Sequence, residues 1–311
     1  MDKCISRIAI IGVGQVGAAA AYALILGSVA DKLLLVDTRA EWRDGQVRDL
    51  TDVAYTNGSK TRVHAAGYRE ASQCDIVVIT AGSKISYGQT PLDYLYRNTG
   101  ILRSIVNEMR PFRSDTILLV VANPVDLLTS LAKELSGLPP SQVLGSGTFL
   151  DSVRLRGLLA DKAGIAQSSI DLYVLGIHGD TQVAVWSTAT IGGVPLDKAL
   201  PSASADVDKA SLARECRNRA RSIVGAKDAT PLGIGSVVSS ICSSILQDKR
   251  NVRPISHFQS EFGCCFSLPV VLGRTGVIQE VPATLSTKEQ EAIAKSANEL
   301  KSTLDRVQEQ Y

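Results

Sequence analysis

Long apolar runs, an excess of one charge and histidine are scarce in this chain, and each scarcity narrows what it can be. No stretch reaches the roughly 18 uninterrupted apolar residues that a membrane-spanning helix requires. The 33 Lys and Arg against 31 Asp and Glu leave a net charge of +2. That is too little for a global field that would recruit nucleic acid or an acidic membrane surface. The six cysteines (Cys4, Cys74, Cys216, Cys242, Cys264 and Cys265) contain no C-x-x-C pair, so they read as reduced thiols of a cytosolic protein rather than as a disulfide scaffold. Adjacent Cys264 and Cys265 read as two small hydrophobes facing opposite sides of a strand. No group of His, Cys and Asp has metal-ligand spacing, and no metal is expected. Internal repeats, low-complexity tracts and long linkers are absent. The sequon Asn57-Gly58-Ser59 is idle in a cytosolic chain.

What is present is an ordinary globular composition, 45% hydrophobic and 21% charged over 311 residues. That is enough for a sizeable core in two domains or one large one. At the start, Lys3 and Arg7 precede an apolar stretch, Ile8 to Leu26, followed by Ser28-Val29-Ala30, which imitates a secretory signal. The same residues read better as strand, glycine turn and helix. Runs at Arg7–Ile11, Leu33–Asp37, Ile76–Thr80, Ile117–Val121 and Val143–Ser146 have the continuous apolar character of buried parallel strands. They alternate with helical spacing at Gln15–Gly27, Glu41–Tyr55, Leu92–Arg110 and Val125–Ser136. Repeated strand and helix imply right-handed crossovers and a doubly wound parallel sheet of the Rossmann type, an α/β fold.

After about residue 148 the pattern becomes mixed α+β. Helix Phe149–Ala163 is followed by strands Asp171–Gly176 and Gln182–Ile191, helices Asp206–Gly225 and Pro231–Gln247, and strand-like runs around Val252–His257, Cys265–Leu272 and Gly276–Val281. A last helix opens with a Ser286/Glu289 capping box and carries one apolar stripe, Ile293, Ala297, Leu300, Leu304 and Val307. The expected division is a dinucleotide-binding half, 1–147, and a substrate half, 148–311, with the site between them.

Gly12-Val13-Gly14-Gln15-Val16-Gly17 follows a strand and opens an Ala-rich helix. Its first glycine permits the tight turn, its second lets backbone amides approach a pyrophosphate, and its third lets helix pack on strand. Alone this pattern is weak, because glycine-rich turns are common. Here Asp37 ends the next strand, 20 residues beyond Gly17, where a carboxylate accepts the ribose hydroxyls and repels a 2′-phosphate. NAD is therefore favoured over NADP, although Arg39 lies close enough to accommodate such a phosphate.

Of the three histidines, His64 and His257 lie in β-patterned runs, as surface or satisfied core residues do. His178 sits between Ile177 and Gly179-Asp180 just past a strand, a turn that presents a side chain into a cleft. Its titration near neutral pH suits a proton donor to a carbonyl under reduction.

At these residues the chain resembles the L-lactate/malate dehydrogenases. The resemblance rests on Gly12-x-Gly-x-x-Gly17, Thr80-Ala81-Gly82, Val121-Ala122-Asn123-Pro124-Val125-Asp126, the run Gly145 to Arg154 and Gly176-Ile177-His178-Gly179-Asp180. Lys227-Asp228-Ala229-Thr230 and Phe266-Ser267-Leu268-Pro269 extend it, in order, over nearly the whole chain. It implies that His178 exchanges a proton with the substrate oxygen while nicotinamide exchanges hydride. Asp151 would orient the imidazole and stabilise its charged form, besides its ordinary helix-dipole role. Arg154, one turn along the same helix, would clamp the substrate carboxylate. Asn123 would hold nicotinamide and His178, and Thr230 would line the substrate pocket. Thr80, Ala81, Gly82 and Asn98 would join Gly12, Gly14, Gln15, Val16, Gly17 and Asp37 around the cofactor.

The resemblance breaks in the lid, Thr80–Asn98. Pro91 occupies the position of the family's lid arginine, which polarises the substrate carbonyl, and loss of such a donor costs roughly 10²–10³ in rate. Ile85 stands where the family reads substrate with glutamine or arginine, so it cannot pair with a second carboxylate and it points to a bulkier, more apolar substrate. Lys84, Tyr87 and Tyr94 are the candidates to replace the missing donor. Three readings stay open: a reductase of 2-oxo acids or a related carbonyl or imine with shifted preference, an ordinary but weakened L-lactate dehydrogenase, and a catalytically lapsed NAD-binding protein. A homodimer built on Glu41–Tyr55, or a homotetramer, is implied. Sugar-phosphate control is not favoured, because Arg156 fits half of that site while Asp171 stands where histidine is needed.

Overall fold

The computed structural model describes residues 5–83, 90–200 and 207–309. Six short strands, β1 (Arg7–Ile11), β2 (Lys32–Val36), β3 (Arg62–Ala65), β4 (Ile76–Ile79), β5 (Ile117–Val120) and β6 (Val143–Gly145), run parallel. Helices α1 (Gln15–Leu26), α2 (Ala40–Thr56), α3 (Tyr68–Ala71), α4 (Pro91–Met109) and α5 (Val125–Ser136) connect them. The spatial order β3-β2-β1-β4-β5-β6 reverses direction between β1 and β4. A crevice opens at such a reversal, beyond the carboxyl ends of the strands, and ligands bind there.

The second half contributes α6 (Phe149–Ala163) and a separate antiparallel sheet of β7 (Ile170–Leu175), β8 (Val183–Ile191) and β9 (Val194–Pro195). Then come α7 (Leu196–Ala199), α8 (Lys209–Lys227), α9 (Pro231–Leu246), strands β10 (Asn251–Gln259), β11 (Cys264–Gly273) and β12 (Gly276–Glu280), and α10 (Thr287–Glu309). These last three strands do not form a sheet of their own. They continue the parallel sheet beyond β6 as antiparallel additions, giving nine strands among the described residues.

Glycine makes this junction sterically feasible. Ser256 of β10 pairs with Gly145 of β6, where a Cβ would come within 2.9 Å of the Ser256 Cβ. At Gly147, with φ +50°, a Cβ would sit 2.6 Å from the Ser256 nitrogen. Ser267 of β11 then bridges backbone to backbone with Gly176, just past β7, and its Oγ accepts from the Thr148 N–H at 3.0 Å. One hairpin thus ties the start of α6 to the end of β7.

Side-chain alternation sorts the apolar strands onto two cores. Ile8, Ile10, Leu33, Leu35, Ile76 and Val78 pack with α1 and α9, whereas Ala9, Ile11, Leu34, Val77 and Ile79 pack with α4, α5 and α10. Coverage of both faces is the reason these strands carry so few polar residues. A third core joins α6, β7, β8 and α8 through Leu155, Leu159, Leu172, Val174 and Leu212. The α10 stripe is buried at Ile293, Ala297, Leu304 and Val307 and partly at Leu300. Its capping box forms, Ser286 N–H donating to Glu289 Oε2 at 2.8 Å.

Gly147→Ala is expected to lower unfolding stability by about 2 kcal/mol or more, because a left-handed φ and an occupied Cβ position add. Denaturant or thermal unfolding measures it, and a variant as stable as the parent contradicts the glycine junction.

Candidate active site

The glycine turn is clamped from three sides. Gly12 has φ +88°, and a Cβ there would lie 2.5 Å from Ala81 Cα. Its N–H donates to Val36 O at 2.7 Å. Thr80 Oγ donates to Gly12 O at 2.6 Å, and a Cβ on Gly17 would meet that same hydroxyl at 2.8 Å. A Cβ on Gly14 would meet nothing. α1 then begins without a capping side chain or an acidic residue in its first turn, so the amides around Gln15, Val16 and Gly17 are offered to an anion.

Asp37, whose side chain is 8% exposed, accepts from Val13 N–H through Oδ2 and from Arg39 N–H through Oδ1, both at 3.0 Å. Each oxygen keeps a second lone pair. Gly12, Gly14, Asp37, Thr80, Ala81 and Gly82 line one cavity of about 550 Å³, room enough for a nucleotide-sized ligand. Arg39 is engaged beside it, its guanidinium 3.5 Å from Asp37 and 4.8 Å above the Trp42 ring. Trp42 itself donates from Nε1 to Val13 O at 2.8 Å. It braces the turn from α2, a role for which its sequence position gives no signal. This cradle, with an open helix N-terminus and a carboxylate, fits a dinucleotide.

Asn98 is buried and both ends of its amide are committed. Oδ1 accepts from Ser83 N–H at 2.7 Å, and Nδ2 donates to Asn123 O at 2.8 Å. It ties Ser83 to Asn123, just past β5. The Asn123 side chain is exposed and accepts from Val125 N–H at 3.3 Å.

Beyond the cofactor cradle, three predicted residues meet. Asp151, in the first turn of α6 and 2% exposed, accepts from His178 Nδ1 at 2.7 Å through Oδ2, and its Oδ1 lies 3.4 Å from Arg154 Nη1. Burial pushes the Asp151 carboxyl up, but His178 and then Arg154 outweigh it and hold it below the usual carboxylate range. Burial likewise pulls His178 down, and the charge and hydrogen bond of Asp151, with the charge of Asp126 added, raise it above the ordinary value of 6.5. The ring keeps 25% exposure, so its second nitrogen can meet a ligand. Gly176 and Gly179, at φ +82° and +119°, shape the loop that presents it.

Asp126 closes the Val121–Asp126 motif in the first turn of α5, a place where the sequence alone signals only a helix-dipole partner. It is buried, and its Oδ2 accepts from the His178 backbone N–H at 2.7 Å. Thr230 stands at the N-cap of α9, and its side chain makes no capping bond. α9 approaches α6 where Gly233 packs on Leu150, which brings Thr230 toward the Asp151 turn. Among the described residues Thr230 has no hydrogen bond to His178, Asp151 or Arg154.

Ile85, Lys84 and Tyr87 lie outside the described residues. Pro91 is the first residue of α4, and Thr90 with Asp93 closes a complete capping box around it. Proline suits that position, since its missing N–H has no intrahelical acceptor there. His64 is exposed, and His257 is buried with Nδ1 3.0 Å from Ile255 O.

A dinucleotide cradle next to a carboxylate–histidine–arginine set defines a class, the nucleotide-dependent dehydrogenases. Family comparison is specific. Residues 6–145 match the lactate/malate dehydrogenase NAD-binding domain, and residues 148–311 match the alpha/beta C-terminal domain of the same family. The chain belongs to the lactate/malate dehydrogenase family. It is 41% identical to L-lactate dehydrogenase A of Rhizopus oryzae, over 96% of this chain and 92% of that one. It is 37% identical to an L-lactate dehydrogenase of Synechococcus, over 96% and 98%. A solved minor L-lactate dehydrogenase of Enterococcus mundtii superposes with TM-score 0.93 at 35% identity, covering 98% and 99%. The chain is thus an oxidoreductase whose cofactor is NAD. No described helix is long and apolar enough to cross a membrane.

Asp37→Ser is expected to weaken NADH binding about 10- to 100-fold, the equivalent of losing charged hydrogen bonds, and to narrow the gap to NADPH. Titration of nucleotide fluorescence measures both, and unchanged NADH affinity contradicts the ribose role.

Proposed function

We propose that this protein interconverts a 2-oxo acid, or a related carbonyl or imine, with its reduced form, and that its preference has moved from lactate and malate toward a more apolar substrate. The observation that carries the reading is the Asp151–His178–Arg154 set, with contacts of 2.7 and 3.4 Å. When bound, NAD accepts or supplies the hydride. In reduction, protonated His178 gives the proton on its exposed nitrogen to the substrate oxygen and takes it back in oxidation. Asp151 fixes the tautomer by accepting from Nδ1 and steadies the imidazolium. Arg154 offers its fork to the substrate carboxylate. Asn123, at the end of β5, would orient the nicotinamide end, and Thr230 would wall the substrate pocket.

The shift of preference is supported by Pro91, which carries neither charge nor N–H, and by Ile85, which cannot pair with a second carboxylate. A weakened L-lactate dehydrogenase is the second reading, favoured by the 41% identity to an enzyme of that name. A lapsed protein is not favoured, since a scaffold without turnover has no need of a buried carboxylate under its histidine. We further propose that residues 1–147 serve the cofactor and 148–311 the substrate, and that copies associate through α2. Trp42 and Tyr55 on that helix are 46% and 69% exposed. The buried free thiols fit a reducing cytosol.

A panel of 2-oxo acids and imines with NADH tests the preference. Higher kcat/KM on branched or aromatic 2-oxo acids than on pyruvate or oxaloacetate is expected, and ordinary dehydrogenase rates on those two sink the shifted reading. Since Asp151 holds the His178 proton, reductive kcat/KM should stay flat at low pH and fall as pH rises through a midpoint above 6.5. Asp151→Asn should move that midpoint to lower pH and cut kcat by about 10²-fold or more. A pH profile that does not move in this variant removes Asp151 from the mechanism.

A further inference from the structure

We infer that Asp126 is a positioning residue for His178: its buried carboxylate holds the histidine's own backbone N–H and adds a second negative charge that keeps the imidazole protonated for reduction. The inference rests on the reading of His178 as proton donor. It starts from geometry. Asp126 Oδ2 accepts from His178 N–H at 2.7 Å, across 52 residues of sequence. Asp126 is 2% exposed. Its Oδ1 has no well-formed hydrogen-bond partner, and neither does the fully buried Ser256 hydroxyl facing it from β10.

Stability does not account for such a group. A carboxylate in the first turn of a helix gains about 0.3–1 kcal/mol from the helix dipole at a surface. A buried carboxylate with one oxygen held only loosely, by the Ser256 hydroxyl, loses more than that in desolvation. An asparagine or a serine would hold the His178 N–H without the charge. What only an ionised carboxylate adds is an electrostatic effect on the imidazole.

The surroundings leave that effect uncancelled. Burial raises the Asp126 carboxyl to about 6, against the Ser256 hydroxyl and the His178 N–H and charge, which lower it, while Asp151 raises it further. The group is therefore ionised at neutral pH. From β11, Cys264 and Cys265 face the same charge; burial first, with Asp126 adding to it, pushes both thiols up, Cys264 to about 11. They stay neutral and bring no second charge. Arg154 is the cation on the far side of the pair, and it acts on His178 in the opposite sense. His178 thus feels two carboxylates and one guanidinium. Once it has given its proton to substrate it is left neutral beside two buried negative charges, so proton uptake through its exposed edge is favoured. Asp126 biases the site toward carbonyl reduction and extends that reaction to higher pH.

The chain has three histidines, so 15N-histidine labelling resolves each ring, with His178→Gln as the assignment control. Asp126→Asn keeps an acceptor for the His178 N–H and removes the charge. The expected result is a fall of about one unit in the His178 titration midpoint. The alkaline limb of reductive kcat/KM should shift equally, with KM for NADH unchanged. An unmoved midpoint in a folded variant overturns the inference. If the variant does not fold, the parent protein decides. The His178 ring signals should show a second inflection below their main titration, where the Asp126 carboxyl takes up its proton, and a ring that shows none down to the acid limit of folding overturns it. Full turnover in His178→Gln would instead sink the proton-donor reading and leave the titration result standing.

Discussion

The contact between Asp151 Oδ2 and His178 Nδ1, 2.7 Å long, joins residues 27 apart in sequence and carried by different elements. Asp151 lies at 2% exposure, where an isolated carboxylate would be neutralised rather than ionised. Its carboxyl is held below the usual range because His178 and then Arg154 lie against it and outweigh burial. Removing Asp151 leaves the buried Arg154 guanidinium without its counterpart, a loss of several kcal/mol in comparable cases. On the proposed assignment, proton transfer, anion binding and local stability therefore depend on one another here.

That contact exists because the two halves of the chain share a sheet. β10 adds to the edge of β6, and Ser267 of β11 reaches both Gly176 and Thr148. The loop carrying His178 and the helix carrying Asp151 are thus both fixed to one hairpin. The cofactor cradle sits at the carboxyl ends of the neighbouring strands, as the strand reversal between β1 and β4 requires. Fixed distances between cradle and histidine follow from the stiffness of a nine-stranded sheet with a packed core on each face.

Much of this was legible in the sequence because local rules and global fold agree. The runs Arg7–Ile11, Val125–Ser136 and Phe149–Ala163 form elements with those bounds, since each is set off by glycine, proline or a change of period. His178 stood out through its turn context. The attachment of β10–β12 to the parallel sheet was not legible, because strand pairing over more than a hundred residues leaves no local trace. Nor were the roles of Trp42 and Asp126. An indole braces a carbonyl from another helix, and a carboxylate in a first turn looks like an ordinary dipole partner until its burial is known.

Charge counting links the lid to the substrate. On the proposed assignment the site holds two cations, His178 and Arg154, and two carboxylates, Asp151 and Asp126, so it is neutral before substrate arrives. A monocarboxylate brings it to one net negative charge and a dicarboxylate to two, in surroundings where each unpaired charge is costly. An arginine at position 91 would remove one of those charges, but it would place a cation at the positive end of α4, where the dipole opposes it. Proline with the Thr90/Asp93 box stabilises that helix start instead. On the proposed reading the chain exchanges carbonyl polarisation for a firm start to α4, and the substrate that best tolerates the exchange has one carboxylate and an otherwise apolar body.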